Sequence, residues 1–319
     1  MRHHHAAWAL ALALVPSIAL GHDDINFTVN IDHDKPSLTC SDIEMRFWED
    51  HKHAGDIITV RRDQSVSLAA GGSTTLRVRA SDRGGVRVQA ASGNTASAFI
   101  CMAAGATSEA KANALLDGVQ IHNEAGELTV TGPDDAQWAA YIVVSVPRGM
   151  KLDLRAENGE LALQGVSGAF TMRTTNGPIT VSDVAGEVDG ETVNGPICFR
   201  GHSGDIRLAA QNGPVDVKLD EPTWNGKGLN ARTSNGPVQF TAPEGLRTGV
   251  QVEGSAHSPF IWNGVTQHSY DEWTRSHSVW LGDGPVTVKL STVNGPVQIK
   301  APKGASKGRP KSSSKDVGI

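Results

Sequence analysis

The chain has 319 residues, of which 39% are hydrophobic, 20% charged and only 5% aromatic, with a formal net charge of −5. An acidic balance of this kind argues against nucleic acid as a partner, and beyond the first 21 residues no apolar run is long enough to cross a bilayer as a helix.

Residues 1–21 read as a secretory signal. Arg2 supplies the positive start, Ala6 to Leu20 is apolar apart from Pro16 and Ser17, and Ala19 and Gly21 form a small-x-small cleavage site. The expected product is exported, to the periplasm, the cell surface or the medium. The next residues include His22, Asp23, Asp24, Asp32, His33 and Asp34, and later Glu49, Asp50, His51 and His53. None has the ordered spacing of a metal site, so a solvated acidic segment is expected and no metal is assigned.

Residues 22–150 show irregular strand patterns at Ile57–Val60, Thr75–Val78, Val86–Val88, Leu128–Val130 and Tyr141–Val146, and one helical stretch, Thr107–Leu116. Three cysteines are present, Cys40, Cys101 and Cys198. In an oxidising compartment one disulfide is expected. Cys40–Cys101 is favoured, because Cys198 sits inside a regular repeat with no cysteine at the equivalent position of its neighbours.

From residue 151 to 300 the pattern becomes regular. Gly159, Gly168, Gly177, Gly186, Gly195, Gly204 and Gly213 stand nine residues apart, and Asn158, Asn176, Asn194 and Asn212 precede every second one. Pro178, Pro196 and Pro214 follow. Between these corners apolar residues alternate: Ile179 and Val181, Ile197 and Phe199, Val215 and Val217. Alternation predicts strands with one buried face. Glycine and asparagine are expected to supply positive φ at the corners, and proline to open a strand where no N–H is needed. Equivalent residues every 18 positions predict an all-β parallel β-solenoid of about 18 residues per coil, with an asparagine ladder along one edge. An antiparallel meander is the alternative, since Asn-Gly favours hairpins. The interval 255–278 interrupts the repeat and supplies a C-terminal cap. Trp224, Trp262, Trp273 and Trp280 around it serve either as that cap or as a surface for sugar rings. Residues 301–319 form a basic tail, expected to be disordered, and residues 22–300 without it carry 23 bases against 33 acids, a formal −10.

Nine-residue glycine repeats also occur in calcium-binding β-rolls, but the position of Asp183 becomes Gly201 and then Leu219 in the following repeats, so ligands do not stack. No nucleophile elbow, phosphate loop or His-Glu-x-x-His motif is present. No catalytic, cofactor or metal residues are assigned, and the chain is not expected to be an enzyme.

Tyr141-Ile-Val-Val-Ser-Val-Pro-Arg-Gly149, Leu152-Asp-Leu154, Asn158-Gly159, the serial Asn-Gly-Pro units and Ser291-Thr-Val-Asn-Gly-Pro-Val-Gln-Ile299 resemble the bacterial family of putative adhesins with β-strand repeats, over about residues 118–300. The resemblance implies an exported or envelope-associated, right-handed solenoid without catalytic residues. The expected function is an adhesin-like protein presenting a polar face to a protein or an envelope glycan. By alternation the candidate face residues are Thr180, Ser182, Arg200, Asp216 and Lys218. A glycan-acting β-helix enzyme and a purely structural envelope scaffold are the alternatives.

Overall fold

The computed structural model describes residues 25–31, 39–49, 57–68, 75–134, 137–267 and 277–302. The expected signal segment, the acidic residues 22–24 and 32–34, residues 50–53 and the tail from 303 lie outside the described residues, as do Tyr270 and Trp273. The N-terminal part holds β1 (Ile25–Ile31), β2 (Ile43–Glu49), β3 (Ile58–Leu68), β4 (Leu76–Arg79), β5 (Val86–Ala90), β6 (Ala96–Ala106), helix α1 (Glu109–Asp117), β7 (Gln120–Glu124), β8 (Glu127–Thr131) and β9 (Trp138–Val146). The regular part holds β10 (Met150–Asn158), β11 (Leu161–Gln164), β12 (Ser167–Asn176), β13 (Ile179–Ser182), β14 (Ala185–Asn194), β15 (Ile197–Gly201), β16 (Ser203–Asn212), β17 (Val215–Leu219), β18 (Asn225–Asn235) and β19 (Val238–Thr241). The chain ends with β20 (Gly249–Glu253), β21 (Phe260–Trp262), β22 (Val265–Gln267), β23 (Ser278–Leu281), β24 (Val286–Asn294) and β25 (Val297–Lys300).

Among the described residues the chain is therefore all-β apart from one helix. Its strands form two large mixed sheets, one of 11 strands and one of 12, neither closed into a barrel, and a separate two-stranded sheet, β1–β2. In the regular part successive strands alternate between the large sheets and pair in parallel, so the meander does not form there. Leu161 lies opposite Ile179, Ile179 opposite Ile197 and Ile197 opposite Val215. Their side chains, with Ile206 and Leu208 from the facing sheet, are almost fully buried in one core. Each such aliphatic contributes roughly 1.5–3 kcal/mol when removed from water.

The corners are where these residues act. Asn176 Nδ2 donates to Asn158 Oδ1 at 2.8 Å, and Asn194, Asn212, Asn235 and Asn294 each donate to the preceding asparagine at 2.9 Å. A second ladder runs just inside it. The hydroxyls of Thr174, Thr192, Thr233 and Thr292 donate to the carbonyls of Gly159, Gly177, Gly213 and Gly236 at 2.8–3.1 Å. The rung between Thr192 and Thr233 is Ala210, which is buried and in register with both. Ala210→Thr is expected to stabilise the protein by about 1 kcal/mol, the net value of one hydrogen bond. Denaturant unfolding checks this, and a lower midpoint would refute the ladder's role.

The reason for the glycines differs from the expectation. Gly177, Gly195 and Gly295 lie outside the positive-φ region. What excludes a side chain is proximity: a Cβ on Gly177, Gly195, Gly213, Gly236 or Gly295 would overlap the carbonyl oxygen of the stacked glycine before it. Positive φ appears at the opposite corner, at Gly186 (118°) and Gly204 (110°), and at Asp183 (53°). Gly245, which continues the nine-residue step from Gly236, has open space around it and is a loop glycine. The prolines stand immediately before β13, β15, β17, β19 and β25, and the carbonyls of Pro178, Pro196, Pro214, Pro237 and Pro296 accept from the N–H groups of Leu161, Ile179, Ile197, Val215 and Val238.

Strand order departs from chain order at both ends. The 11-stranded sheet runs β23-β20-β24-β18-β16-β14-β12-β10-β4-β8-β7, and the 12-stranded sheet runs β22-β21-β25-β19-β17-β15-β13-β11-β5-β9-β6-β3. Thus β4 and β5 lie between β8/β9 and β10/β11, and the last Asn-Gly-Pro unit, β24 and β25, lies between β18/β19 and β20/β21. Strict sequential stacking fails at these two places. Both sheets pass residue 150 without a break, and each finishes in antiparallel strands at both ends.

Helix α1 closes the N-terminal end of the core with Ala112 and Leu116, and Ser108 caps it by accepting from the Lys111 N–H at 3.3 Å. Ile43, Met45 and Phe47 of β2 build a second small core on the outer side of β6 and β9, against Ala103, Ala139, Tyr141 and Val143. Cys40 and Cys101 are disulfide-bonded there, 61 residues apart in sequence and 5.2 Å apart at Cα.

Candidate binding face

Because side chains alternate across a strand, residues between the buried aliphatics of the 12-stranded sheet share its outer face. Parallel register aligns them in rows perpendicular to the strands. One row runs Ala162, Thr180, Cys198, Asp216, Gln239 and Gln298. Its neighbour runs Gln164, Ser182, Arg200, Lys218, Thr241 and Lys300. All five candidate residues, Thr180, Ser182, Arg200, Asp216 and Lys218, fall in these two rows. Arg200 and Lys218 are exposed, and Thr180, Ser182 and Asp216 are half-buried. A third stripe, just before the strands, holds Pro178, Pro196, Pro214, Pro237 and Pro296, partly or fully exposed.

Strands about 4.8 Å apart bring neighbouring polar groups of a row within reach of one another. Gln239 Nε2 donates to Asp216 Oδ2 at 2.7 Å, and Thr180 Oγ1 donates to Glu160 Oε1 at 3.1 Å. Burial raises the pKa of Asp216, while Lys300, the Gln239 hydrogen bond and Lys218 oppose that shift. At the other end of the row the Tyr141 hydroxyl donates to Glu160 Oε2 at 3.3 Å. Burial first, and Glu160 second, push that phenol well above its ordinary value. Arg87, in register with Ala162, is 1% exposed and bonds Gln164. Sequence reasoning missed Arg87, Gln239 and Lys300. The signal for Gln239 and Lys300 was the same alternation, once the longer connections before them were aligned.

Cys198 is a free thiol in the middle of the first row, between buried Ile197 and Phe199. Burial, then Asp216 and Glu160, push its pKa up to about 12. The thiolate is the nucleophile, and so weak an acid holds roughly a thousandfold less of it near neutral pH than an ordinary cysteine does. Alkylation of native Cys198 by iodoacetamide at pH 8 is expected to be slower than that of the unfolded chain by more than about tenfold, because the scarcity of thiolate outweighs the greater nucleophilicity of a weaker acid's anion. Mass spectrometry follows it, and comparable rates would refute the buried setting.

The outer face of the 11-stranded sheet is built differently. Arg173 pairs with Asp189 at 2.8 Å and Glu191 at 3.2 Å, Arg207 with Asp205 at 3.3 Å, and Lys227 with Asp205 at 3.2 Å and Glu187 at 3.6 Å. Acid and base neutralise each other across strands and, for Arg207 with Asp205, within β16, which suits a solvated surface. Trp224 and Trp262 contribute to packing. Trp224 is 8% exposed, packs 5.8 Å from Phe199 between ring centroids, and donates its indole N–H to the Gly204 carbonyl at 3.2 Å. Trp262 packs against the main core.

Among the described residues no three metal-capable side chains cluster, and no helix is long and apolar enough to cross a membrane. A shallow open pocket of about 330 Å³ lies at the corner formed by Ala90, Val146, Arg148, Gly165 and Asp183, just past the Gln164–Ser182 end of the second row.

No family model and no curated protein matches the chain. Similar solved structures include a putative adhesin from Bacteroides fragilis NCTC 9343, at 12% identity over 77% of this chain and 97% of that one, with a TM-score of 0.36. Another is a putative adhesin from Parabacteroides merdae ATCC 43184, at 12% identity over 78% and 97%, TM-score 0.33. A third is a putative lipid binding protein from Parabacteroides distasonis ATCC 8503, at 9% identity over 76% and 97%, TM-score 0.34. At these identities and scores the likeness assigns no activity. The first two carry the description of the family that the Asn-Gly-Pro units resemble.

Proposed function

We propose that this chain is an exported, non-enzymatic, adhesin-like protein that presents the outer face of its 12-stranded sheet to an envelope glycan or protein. Its architecture in this reading is a right-handed parallel β-solenoid of about 18 residues per coil. It comprises a signal over 1–21, an irregular region over 22–150, regular coils over 151–300 broken at 255–278, and a basic tail over 301–319. The 18-residue register supports the coil size, and the strong preference of parallel crossovers for one hand supports the handedness. A disulfide between Cys40 and Cys101 fits an oxidising compartment.

The observation that carries the binding assignment is the contrast between the two outer faces. One is consumed by acid–base pairs between strands. The other aligns hydroxyl, amide and cationic groups in one unbroken row, Gln164 to Lys300, with a more mixed row and a proline stripe alongside. Hydrolysis fits less well. Glu160 accepts from Thr180 and Tyr141, and Asp216 from Gln239, so both acids near the face are already engaged within the protein.

Capture from native envelope extract, together with a glycan array, tests the reading. Ser182→Trp with Gln239→Trp obstructs the face, and Thr171→Trp on the opposite sheet is the control. Loss of capture in the first variant alone is expected. No capture by the unaltered protein in either assay, or equal capture by both variants, refutes the reading.

A further inference from the structure

Within the proposed face one row concentrates positive charge. Arg200 and Lys218 sit opposite each other on adjacent strands, about 4.8 Å apart at the backbone, and Lys300 follows about 10 Å further, beyond Thr241. We propose that this row takes an acidic polysaccharide, a linear glycan carrying carboxylates at regular intervals, laid across the strands. The inference rests on the binding-face reading and names its ligand class.

Three features favour this occupant. Arginine and lysine match carboxylates in charge and hydrogen-bond geometry. The adjoining row supplies the Gln239 and Gln298 amides, in register on neighbouring strands, and the Thr180 hydroxyl, which suit the donors and acceptors of sugar hydroxyls. The proline stripe offers apolar ring surface for the C–H faces of sugars. Asp216, the one acid within these two rows, is half-buried and already accepts from Gln239. From β11 to β25 the two rows contain no aromatic residue on which a nucleobase could stack.

The test uses the purified full-length protein after export, with polygalacturonate as the acidic probe and dextran as the neutral one. Arg200→Gln, Lys218→Gln and Lys300→Gln are combined in one variant. Lys151→Gln, Arg232→Gln and Lys289→Gln, exposed residues on the opposite sheet, are combined in a charge-matched control. All six residues are exposed, and unchanged circular dichroism and melting verify the fold. The unaltered protein is expected to bind polygalacturonate, more weakly at high salt, and not dextran. The face variant is expected to lose affinity by about tenfold or more, and the control to stay near the unaltered value. Absence of polygalacturonate binding, or equal losses in both variants, overturns the inference. Dextran binding that Gln239→Trp abolishes also overturns it, yet leaves the binding face standing. Insensitivity of envelope capture to Ser182→Trp with Gln239→Trp removes the face itself.

Discussion

A chain that stops at Asp283 is expected to lose order well beyond the residues removed. The deleted β24 and β25 are interior strands: β24 pairs with β18 and β20, and β25 with β19 and β21. Without them β20 keeps only β23 and β21 keeps only β22. Two-stranded antiparallel pairs are marginal in water. The deletion also removes Val288, Leu290, Val297 and Ile299 from the core, each 2% exposed or less. Those four side chains are worth roughly 6–12 kcal/mol at full burial. Leu229, Ala231, Val238 and Phe240 would then line two open strand edges, which invite association. Hydrogen exchange is therefore expected to show protection lost across residues 249–281 and kept across residues 161–200, with aggregates on size exclusion. A chain that ends at Pro302 is expected to behave like the complete one. Persistent protection at residues 249–262 in the shorter chain would contradict the observed strand order.

Gly195→Ala is expected to cost about 3 kcal/mol or more, the upper range for overpacking. Its new methyl would meet the Gly177 carbonyl, and the same peptide is held on both sides. The Gly195 N–H donates to the Asn212 carbonyl at 3.0 Å, and Asn194 beside it is a rung of the side-chain ladder. Relief by shifting one strand would break these bonds in turn. Gly93→Ala is the control, because nothing lies within 4 Å of that position and its φ is not positive. It is expected to be neutral. Urea titrations of both variants decide the point, and a mild effect at Gly195 would mean that the stack relaxes at little cost.

Much of the regular part was legible because its information is local. Alternation of Ile179, Thr180, Val181 and Ser182 dictates which side chain faces the core, so Thr180, Ser182, Arg200, Asp216 and Lys218 could be placed on one face before any tertiary contact was known. Arg87 could not. Arg87 sits in a short strand with an ordinary pattern, and it joins the face only because β5 lies beside β11. The role of the corner glycines was misread for a related reason. Positive φ is a property of one residue, whereas the overlap of Gly195 with Gly177 exists only after two segments have come together.

Sequence alone determined that strands of nine-residue period would alternate around asparagine-glycine corners, because backbone sterics and polar–apolar alternation act within a few residues. Tertiary structure decided which strands became neighbours at the two ends. The sequence step from Asn212 to its partner Asn235 is 23 residues, and from Asn235 to Asn294 it is 59, yet both bonds measure 2.9 Å. Loop closure grows costlier only logarithmically with length, and every strand with this alternation presents the same backbone edge. The position of β24 between β18 and β20 therefore follows from which pairing buries most and completes the asparagine and threonine ladders, and chain order carries no record of it.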